Sequence, residues 1–334
     1  MTIRGTLTAA LLLVIGLGWL TAAGLPAQAQ DLGTVRVGVL KYGTVNWELD
    51  VIGHHGLDEA EGFDLVVQEF ANDQATNIGL QGRAVDAIVD DWLWVSRQRA
   101  DGQDLVYAVP YSSSVGALMV PADSGIEELA DLGGKRLGIA GGPLDKSWLL
   151  LQGLAAERDG LDLAAEVEEV YGAPPLLQEK ALSGELDAVL NYWHYAARLE
   201  PKGFRRLVGV EEAAEELGAS GDVPQLGYVM WEDWAGENPE LVRAFARASR
   251  AAKEILLESD EEWERLRPLI RAEDDATLAA LRERYREGIP RTWNEEDRAE
   301  IAGLYDVLAE LGGERLVGKA ERLADGTFWA GVTY

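Results

Sequence analysis

Short apolar runs alternate with amphipathic stretches along most of the chain. Val35–Leu40 reads as a first strand, Phe63–Phe70 as a second and Ala87–Asp90 as a short buried one. After the first strand, the loop Lys41–Trp47 leads into a helix through His54 and Ala60, and Ala75–Val85 has helical spacing. Trp92–Gln98 begins the next helix and Leu105–Val109 forms the next strand. Beyond Pro110–Ser114, a strand at Gly116–Val120 and a short helix at Ile126–Leu132 follow. Arg136–Ala140 is an apolar strand that ends in Gly141-Gly142-Pro143. Asp145, Lys146 and Ser147 then open an apolar-periodic helix through Trp148, Leu149, Leu151 and Leu154. Ala164–Val170, Leu176–Ser183, Ala188–Asn191 and Tyr192–Leu199 continue the alternation. They precede Leu207–Val210, an acidic helix at Glu211–Leu217 and a returning strand at Leu226–Met230. From Pro239 to Gly313 the pattern is helical, with Asn294 and Asp297 as a cap and Pro290 between the last two helices. Strands and helices in this alternation predict parallel sheets covered on both faces.

The pattern repeats. Val35–Gly43 resembles Lys135–Pro143, with Arg36 over Arg136 and Gly38 over Gly138. Leu80–Trp94 resembles Ala181–Tyr195, with Asp86 over Asp187 and Trp92 over Trp193. Two matches at nearly one offset predict two lobes built alike. Ligands in such sheets sit beyond the carboxyl ends of the strands. Facing lobes would set Trp47, Asp90, Asp91 and Trp92 opposite Gly142, Lys146, Asn191 and Trp193. The strand, glycine turn and helix start at Arg136–Leu154 form a corner suited to a ligand, with backbone N–H groups aimed into a crevice. It lacks GxGxxG and GK[ST], which excludes both nucleotide readings.

Composition narrows the setting. Residues 1–29 carry one basic residue, an apolar run from Leu11 to Leu20 and Ala27-Gln28-Ala29, the pattern of a cleavable secretory signal peptide. The 334 residues hold 30 Lys+Arg against 58 Asp+Glu, which argues against nucleic acid and anionic lipid as partners. No cysteine is present, so disulfides, thiol catalysis and thiolate metal sites are excluded. Eleven tryptophans exceed ordinary core needs and suit a binding cleft.

The leader, the two α/β lobes, crossings near Ser112–Ser114 and Gly221–Gly227, and the helical tail together resemble a periplasmic substrate-binding protein of an ABC importer. The layout is similar to the class serving nitrate, sulfonates, taurine and thiamine precursors. Within it, KYGTVNWELD, DDWLWVSRQRA, GGPLDKSWLLL and LNYWHYAARLE resemble a branch beside alcohol-oxidising quinoprotein systems, which includes binders of pyrroloquinoline quinone (PQQ). The resemblance implies a two-lobed type II binding protein with parallel-dominated sheets, a cleft between lobes and a helical C-terminal tail on lobe one. Lobe one would hold residues 31–112 and 227–334, and lobe two 113–226. It also implies a periplasmic monomer that hands its solute to an inner-membrane ABC permease and performs no catalysis. PQQ is then a transported ligand and not a catalytic cofactor. The alternatives are a thiamine precursor or another aromatic or amine solute, or an accessory role beside a quinoprotein dehydrogenase. Sulfonate binders offer small hydroxyl residues at the second lobe's helix start. Pro143-Leu144-Asp145-Lys146 stands there instead, and its carboxylate opposes a sulfonate.

The candidate ligand-binding residues are Trp47, Asp91, Trp92, Ser113, Ser114, Gly142, Lys146, Asn191, Trp193 and Tyr228. Lys146, in the first turn of a helix, opposes the helix dipole, a setting that favours the neutral amine. Such an amine can attack an ortho-quinone reversibly, and its cation suits a tricarboxylate. A surface lysine paired with Asp145 is the plain alternative. Trp47, Trp92 and Trp193 suit stacking on a planar ligand, with core packing the alternative, and Trp94 and Trp148 read as core. One of Asp90 and Asp91 is expected to cap the helix at Trp92. Ser112–Ser114 serve as hinge or donors. The three histidines, His54, His55 and His194, show no ligand spacing, so no metal site is expected.

Overall fold

The computed structural model describes residues 31–219 and 223–334. The leader expected at 1–29 and Gly221 at the second crossing lie outside the described residues. No helix among those described is long and apolar enough to cross a membrane.

The first sheet begins with β1 (Gly33–Leu40), followed by helices α1 (Val45–His54) and α2 (Leu57–Glu61). Then come β2 (Phe63–Phe70), α3 (Asp73–Gln81), β3 (Ala87–Asp91), α4 (Trp92–Ala100) and β4 (Leu105–Ser112). The chain crosses over into β5 (Gly116–Pro121), β6 (Arg136–Ala140), α5 (Lys146–Asp159), α6 (Leu163–Glu166) and β7 (Glu168–Gly172). The second lobe continues through α7 (Pro174–Leu182), β8 (Ala188–Tyr192), α8 (Trp193–Leu199), β9 (Phe204–Gly209) and α9 (Val210–Glu216). The chain returns as β10 (Leu226–Trp231). It ends in α10 (Glu232–Glu237), α11 (Pro239–Glu258), α12 (Asp260–Ile270), α13 (Asp275–Glu287) and α14 (Glu295–Val317). Asn294 and Asp297 form a capping box at the start of α14. Trp47 therefore stands inside α1, not in the loop before it.

The two sheets have one topology. The first runs β2-β1-β3-β10-β4 and the second β7-β6-β8-β5-β9. In each, the second strand of the order pairs in parallel with both neighbours, β1 with β2 and β3, and β6 with β7 and β8. The strand arriving from the other lobe then pairs antiparallel on both sides. The sheets are thus mixed but parallel-dominated: four strands of each run one way and only β10 or β5 runs against them. The reason is geometric: β5 and β10 enter at the carboxyl ends of β8 and β3, Gly116 opposite Tyr192 and Leu226 opposite Asp91, so they must run backwards. The two crossings lie side by side, with the Gln225 N–H donating to the Ser112 carbonyl at 2.9 Å.

The sequence repeat marks equivalent positions. Asp86 accepts from the Arg36 backbone N–H at 2.8 Å and from its Nη2 at 2.5 Å. Asp187 accepts from the Arg136 backbone N–H at 2.8 Å and from its Nε at 3.4 Å. Each pair ties β1 or β6 to the chain entering β3 or β8. Gly138 is required by close packing, since a Cβ there would stand 2.6 Å from Leu186 Cδ1.

Helix α11 packs behind lobe one against α1 and α2. The tail also reaches lobe two, where α13 lies on α8 and α14 touches both α5 and α4. Arg198 of α8 donates to the Ile270 carbonyl at 2.7 Å, and Arg284 of α13 donates to Glu200 at 2.8 Å. The last residues cover the edge of β4, through Tyr107 N–H to the Thr327 carbonyl and Trp329 N–H to the Tyr107 carbonyl.

Candidate functional site

A cleft of about 560 Å³ opens between the lobes at the carboxyl ends of their strands. Lobe one contributes the β1–α1 turn around Thr44, Asp73, Thr76 and Asn77 of α3, Asp90 and Asp91 of β3, Trp94 and Arg97 of α4, and Tyr111. Lobe two contributes Gly141, Leu144–Ser147 and Tyr192–His194, and the second crossing adds Gln225 and Leu226.

Two of the helix starts that face the cleft, those of α4 and α5, are capped by their own carboxylates, whereas the starts of α1 at Thr44 and α8 at Tyr192 carry no side-chain cap. Asp91 Oδ1 accepts from the Trp94 N–H at 2.7 Å, and Asp145 Oδ1 accepts from the Ser147 N–H at 2.9 Å. The turn that presents Asp145 needs Gly141, whose φ of +84° and contact with the Asp145 side chain leave no room for a Cβ. Lys146 extends from lobe two. Its Nζ lies 3.4 Å from Asp91 Oδ2, 3.4 Å from Gln225 Oε1 and 5.7 Å from the centre of the Trp92 ring. It is neither a free surface amine nor paired to Asp145; it joins the lobes through Asp91.

The carboxyl groups are unevenly compensated. Burial, then the neighbouring Asp91, pushes Asp90 up to about 8, although its Oδ1 accepts from the Asp91 N–H at 2.7 Å. Partial desolvation raises Asp73, which is still exposed, and burial raises Asp145, each from its usual value. Burial raises the Tyr192 hydroxyl, and Asp145, Asp73 and Asp91 raise it further. Burial, helped by Arg198, holds His194 neutral by lowering it to about 3, and its buried Nδ1 has no partner.

Of the ten candidates, Asp91, Ser114, Lys146 and Trp193 stand on the cleft wall. Ser114 Oγ donates to the Arg284 carbonyl at 3.3 Å, so this hydroxyl serves the hinge and tail. The others lie off the wall. Trp47 is buried in an aromatic cluster with Trp193 at 6.0 Å, Trp263 at 5.8 Å and Tyr285 at 5.9 Å. Trp92 is fully buried and packs on Tyr305. Ser113 gives its N–H to the Gly288 carbonyl. Gly142 yields its wall position to Gly141. Asn191 is buried and satisfied, donating to the Pro174 carbonyl at 3.0 Å and accepting from the Tyr192 N–H at 2.9 Å. Tyr228 is fully buried and donates to Glu48 at 2.9 Å.

Sequence reading missed Asp73, Asn77, Tyr111, Tyr192, Trp94 and Gln225 on the wall. The signal for Asp73 and Asn77 was available: α3 follows β2, and every parallel strand in such a sheet sends its helix start toward the cleft. His54, His55 and Glu262 bring three ligand atoms within 4.8 Å of one another on the outer face, where Glu262 also binds Arg265 at 2.7 Å.

Residues 54–262 match the NMT1/THI5-like family. The chain belongs to that family. No curated protein matches the chain. Among solved structures, the NMT1/THI5-like chain is similar to the alkanesulfonate-binding protein SsuA of Xanthomonas axonopodis pv. citri bound to MOPS. The identity is 20%, the coverage 89% of this chain and 98% of that one, and the TM-score 0.65. The periplasmic aliphatic sulphonate binding protein SsuA of Escherichia coli is 19% identical, with 89% and 97% coverage and a TM-score of 0.69. At such identities the likeness establishes the two-lobed binding-protein fold.

Proposed function

We propose that this NMT1/THI5-like protein is the solute-binding component of an ABC importer. It works in the periplasm as a monomer, delivers its solute to a membrane permease, and carries out no chemistry of its own. The observation that carries the reading is the inter-lobe cleft, whose volume suits a small organic solute. Trp94, Tyr192 and Trp193 on its wall favour a planar one. The two crossings that connect the lobes allow hinge closure, and the leader-like residues 1–29 support export.

SsuA proteins bind sulfonates, but here the starts of α4 and α5 are each capped by their own carboxylate, which disfavours a compact oxyanion held at those two ends. Asp91 and Asp145 occupy N–H groups at those two starts, while the starts of α1 and α8 on the same wall have no side-chain acceptor. PQQ is the first ligand to assay. The resemblance of four segments to PQQ binders supports it, and Lys146 and Arg97 on the wall could meet its carboxylates. Aromatic and amine solutes, thiamine precursors among them, are the second class, favoured by the carboxyl groups of the same wall.

The test is a titration of the mature protein with PQQ, followed by absorbance and thermal shift, beside Lys146→Ala. One-to-one saturation with a spectral change lost in the variant supports PQQ and the lysine contact together. Binding that survives the substitution keeps PQQ and removes the lysine. Absence of binding removes PQQ and leaves the amine class.

A further inference from the structure

Two histidines close the outer end of α1. His54 is its last residue and His55 caps it, the His55 N–H donating to the Val51 carbonyl. Both rings are exposed, 4.9 Å apart and nearly perpendicular. The tail brings Glu262 of α12 against them, on a helix start fixed by the Ser259 hydroxyl, which accepts from the Glu262 N–H at 3.1 Å. Together the three side chains offer three ligand atoms within 4.8 Å of one another. Spacing along the chain did not show this set, because its carboxylate arrives from the tail.

The two oxygens of Glu262 have separate partners. Oε1 accepts from Arg265 Nε at 2.9 Å and from its Nη2 at 2.7 Å. Oε2 lies 3.3 Å from His55 Nε2. Arg265 also pairs with Asp50, so its charge is shared between two carboxylates and Oε2 stays available. A separation of 3.3 Å is the edge of a tetrahedron: a metal bonded to both atoms at about 2.0–2.1 Å would hold them about 105–110° apart. The ring of His54 supplies a third ligand, and solvent reaches the fourth position because both rings are exposed. The carboxyl end of α1 favours a cation there. The start of α12 opposes one, but carries Asp260, Glu261 and Glu262 in its first turn. Calcium and magnesium want six or more oxygen ligands, whereas two imidazoles and one carboxylate suit zinc.

We propose that His54, His55 and Glu262 form a zinc site with one position open to water, and that the metal clips the tail helix α12 to α1. The site stands apart from the solute cleft: α1 is 10 residues, about 15 Å, long, and the cleft wall lies at its other end, around Thr44. The proposal therefore goes beyond the solute-binding reading and does not depend on it. Without metal, His55 and Glu262 meet directly. Zinc replaces that contact with a bond to each, and displaces the proton of any protonated imidazole. Binding to the folded arrangement alone stabilises it.

The test is a titration of the mature protein, free of any histidine tag, with zinc by calorimetry and thermal shift, with cobalt(II) as an absorbing substitute and calcium as the control. One equivalent of zinc is expected to bind and to raise the thermal midpoint, and calcium is expected to do neither. Cobalt is expected to give the intense visible bands of a four-coordinate ion. His54→Ala and His55→Ala are each expected to weaken zinc at least about tenfold, the loss that even an outer partner of a metal ligand produces. These exposed side chains carry the test, because Glu262→Gln would also weaken the contact with Arg265. Zinc binding that is unaltered in either histidine variant overturns the proposal, since the ion would then sit elsewhere. The weak bands of six-coordinate cobalt, calcium binding equal to that of zinc, or absence of zinc binding overturns it as well. All of these outcomes leave the reading of the cleft untouched.

Discussion

Lys146 of the second lobe and Asp91 of the first meet across the cleft at 3.4 Å, and Asp91 spends its other oxygen on the N–H of Trp94. The pair thus links the start of α5 to the start of α4. Replacing Lys146 with alanine leaves Asp91 and Asp145 facing each other without a shared cation. The unliganded protein is expected to shift toward an open arrangement, seen as a larger radius of gyration in small-angle scattering. Stability should change by no more than about 1 kcal/mol, because the pair is partly solvated. An unchanged radius would show that the pair does not hold the lobes.

Asp90 makes stability depend on pH in a definite direction. Its folded value, pushed up to about 8, lies above its unfolded value near 3.9. The folded state therefore binds the extra proton, and the contribution is fully present below the unfolded value and lost as pH rises toward 8. Asp90→Asn removes this loss. Its urea midpoint should exceed that of the wild type by more at pH 8 than at pH 5. Parallel pH profiles would contradict the assignment.

Beneath the cleft, Lys253 of α11 and Glu48 of α1 form an ion pair at 2.6 Å, 3% and 0% exposed. Ser249 and Tyr228 both donate to Glu48, at 2.6 and 2.9 Å. Breaking one partner strands a buried charge, so Lys253→Met should cost about 3–5 kcal/mol in urea denaturation. Adding Glu48→Gln should restore part of that loss, since no uncompensated charge remains. A double variant worse than the sum of the singles would refute this account.

The repeated arginine–aspartate pairs differ in worth. Asp86 is 5% exposed and Asp187 37%. Asp86→Ala removes a buried acceptor from the part-buried N–H and the guanidinium of Arg36 and should cost about 1–3 kcal/mol. Asp187→Ala opens to water and should cost within about 1 kcal/mol. Equal losses by chemical denaturation would show that burial does not set the difference.

Much of the fold was legible because its signals are local. The apolar run Arg136–Ala140 is the observed strand β6. The Asn294–Asp297 spacing is the observed capping box. The repeat of Arg36 and Asp86 at Arg136 and Asp187 reflects a shared turn-and-strand requirement that each lobe meets with its own backbone. Strand direction was less legible, because β5 and β10 are antiparallel only as a result of where the crossings enter the sheets.

The cleft divides in the same way. Sequence alone determined that the carboxyl ends of β3 and β8 face one another's lobes, and so it found Asp91, Lys146 and Trp193. Tertiary structure decided which neighbour at each of those ends turns to the wall. Asn191 folds back onto the Pro174 carbonyl while Tyr192 faces the cleft. Trp92 sinks under Lys146 while Trp94, two residues on, lines the wall. Trp47 is drawn into an aromatic cluster by Trp263 and Tyr285, more than two hundred residues downstream. A side chain's choice between core and cleft depends on partners that only the packed lobes supply. Residue type and spacing fix which positions reach the junction, and the contacts made there settle which way each side chain points.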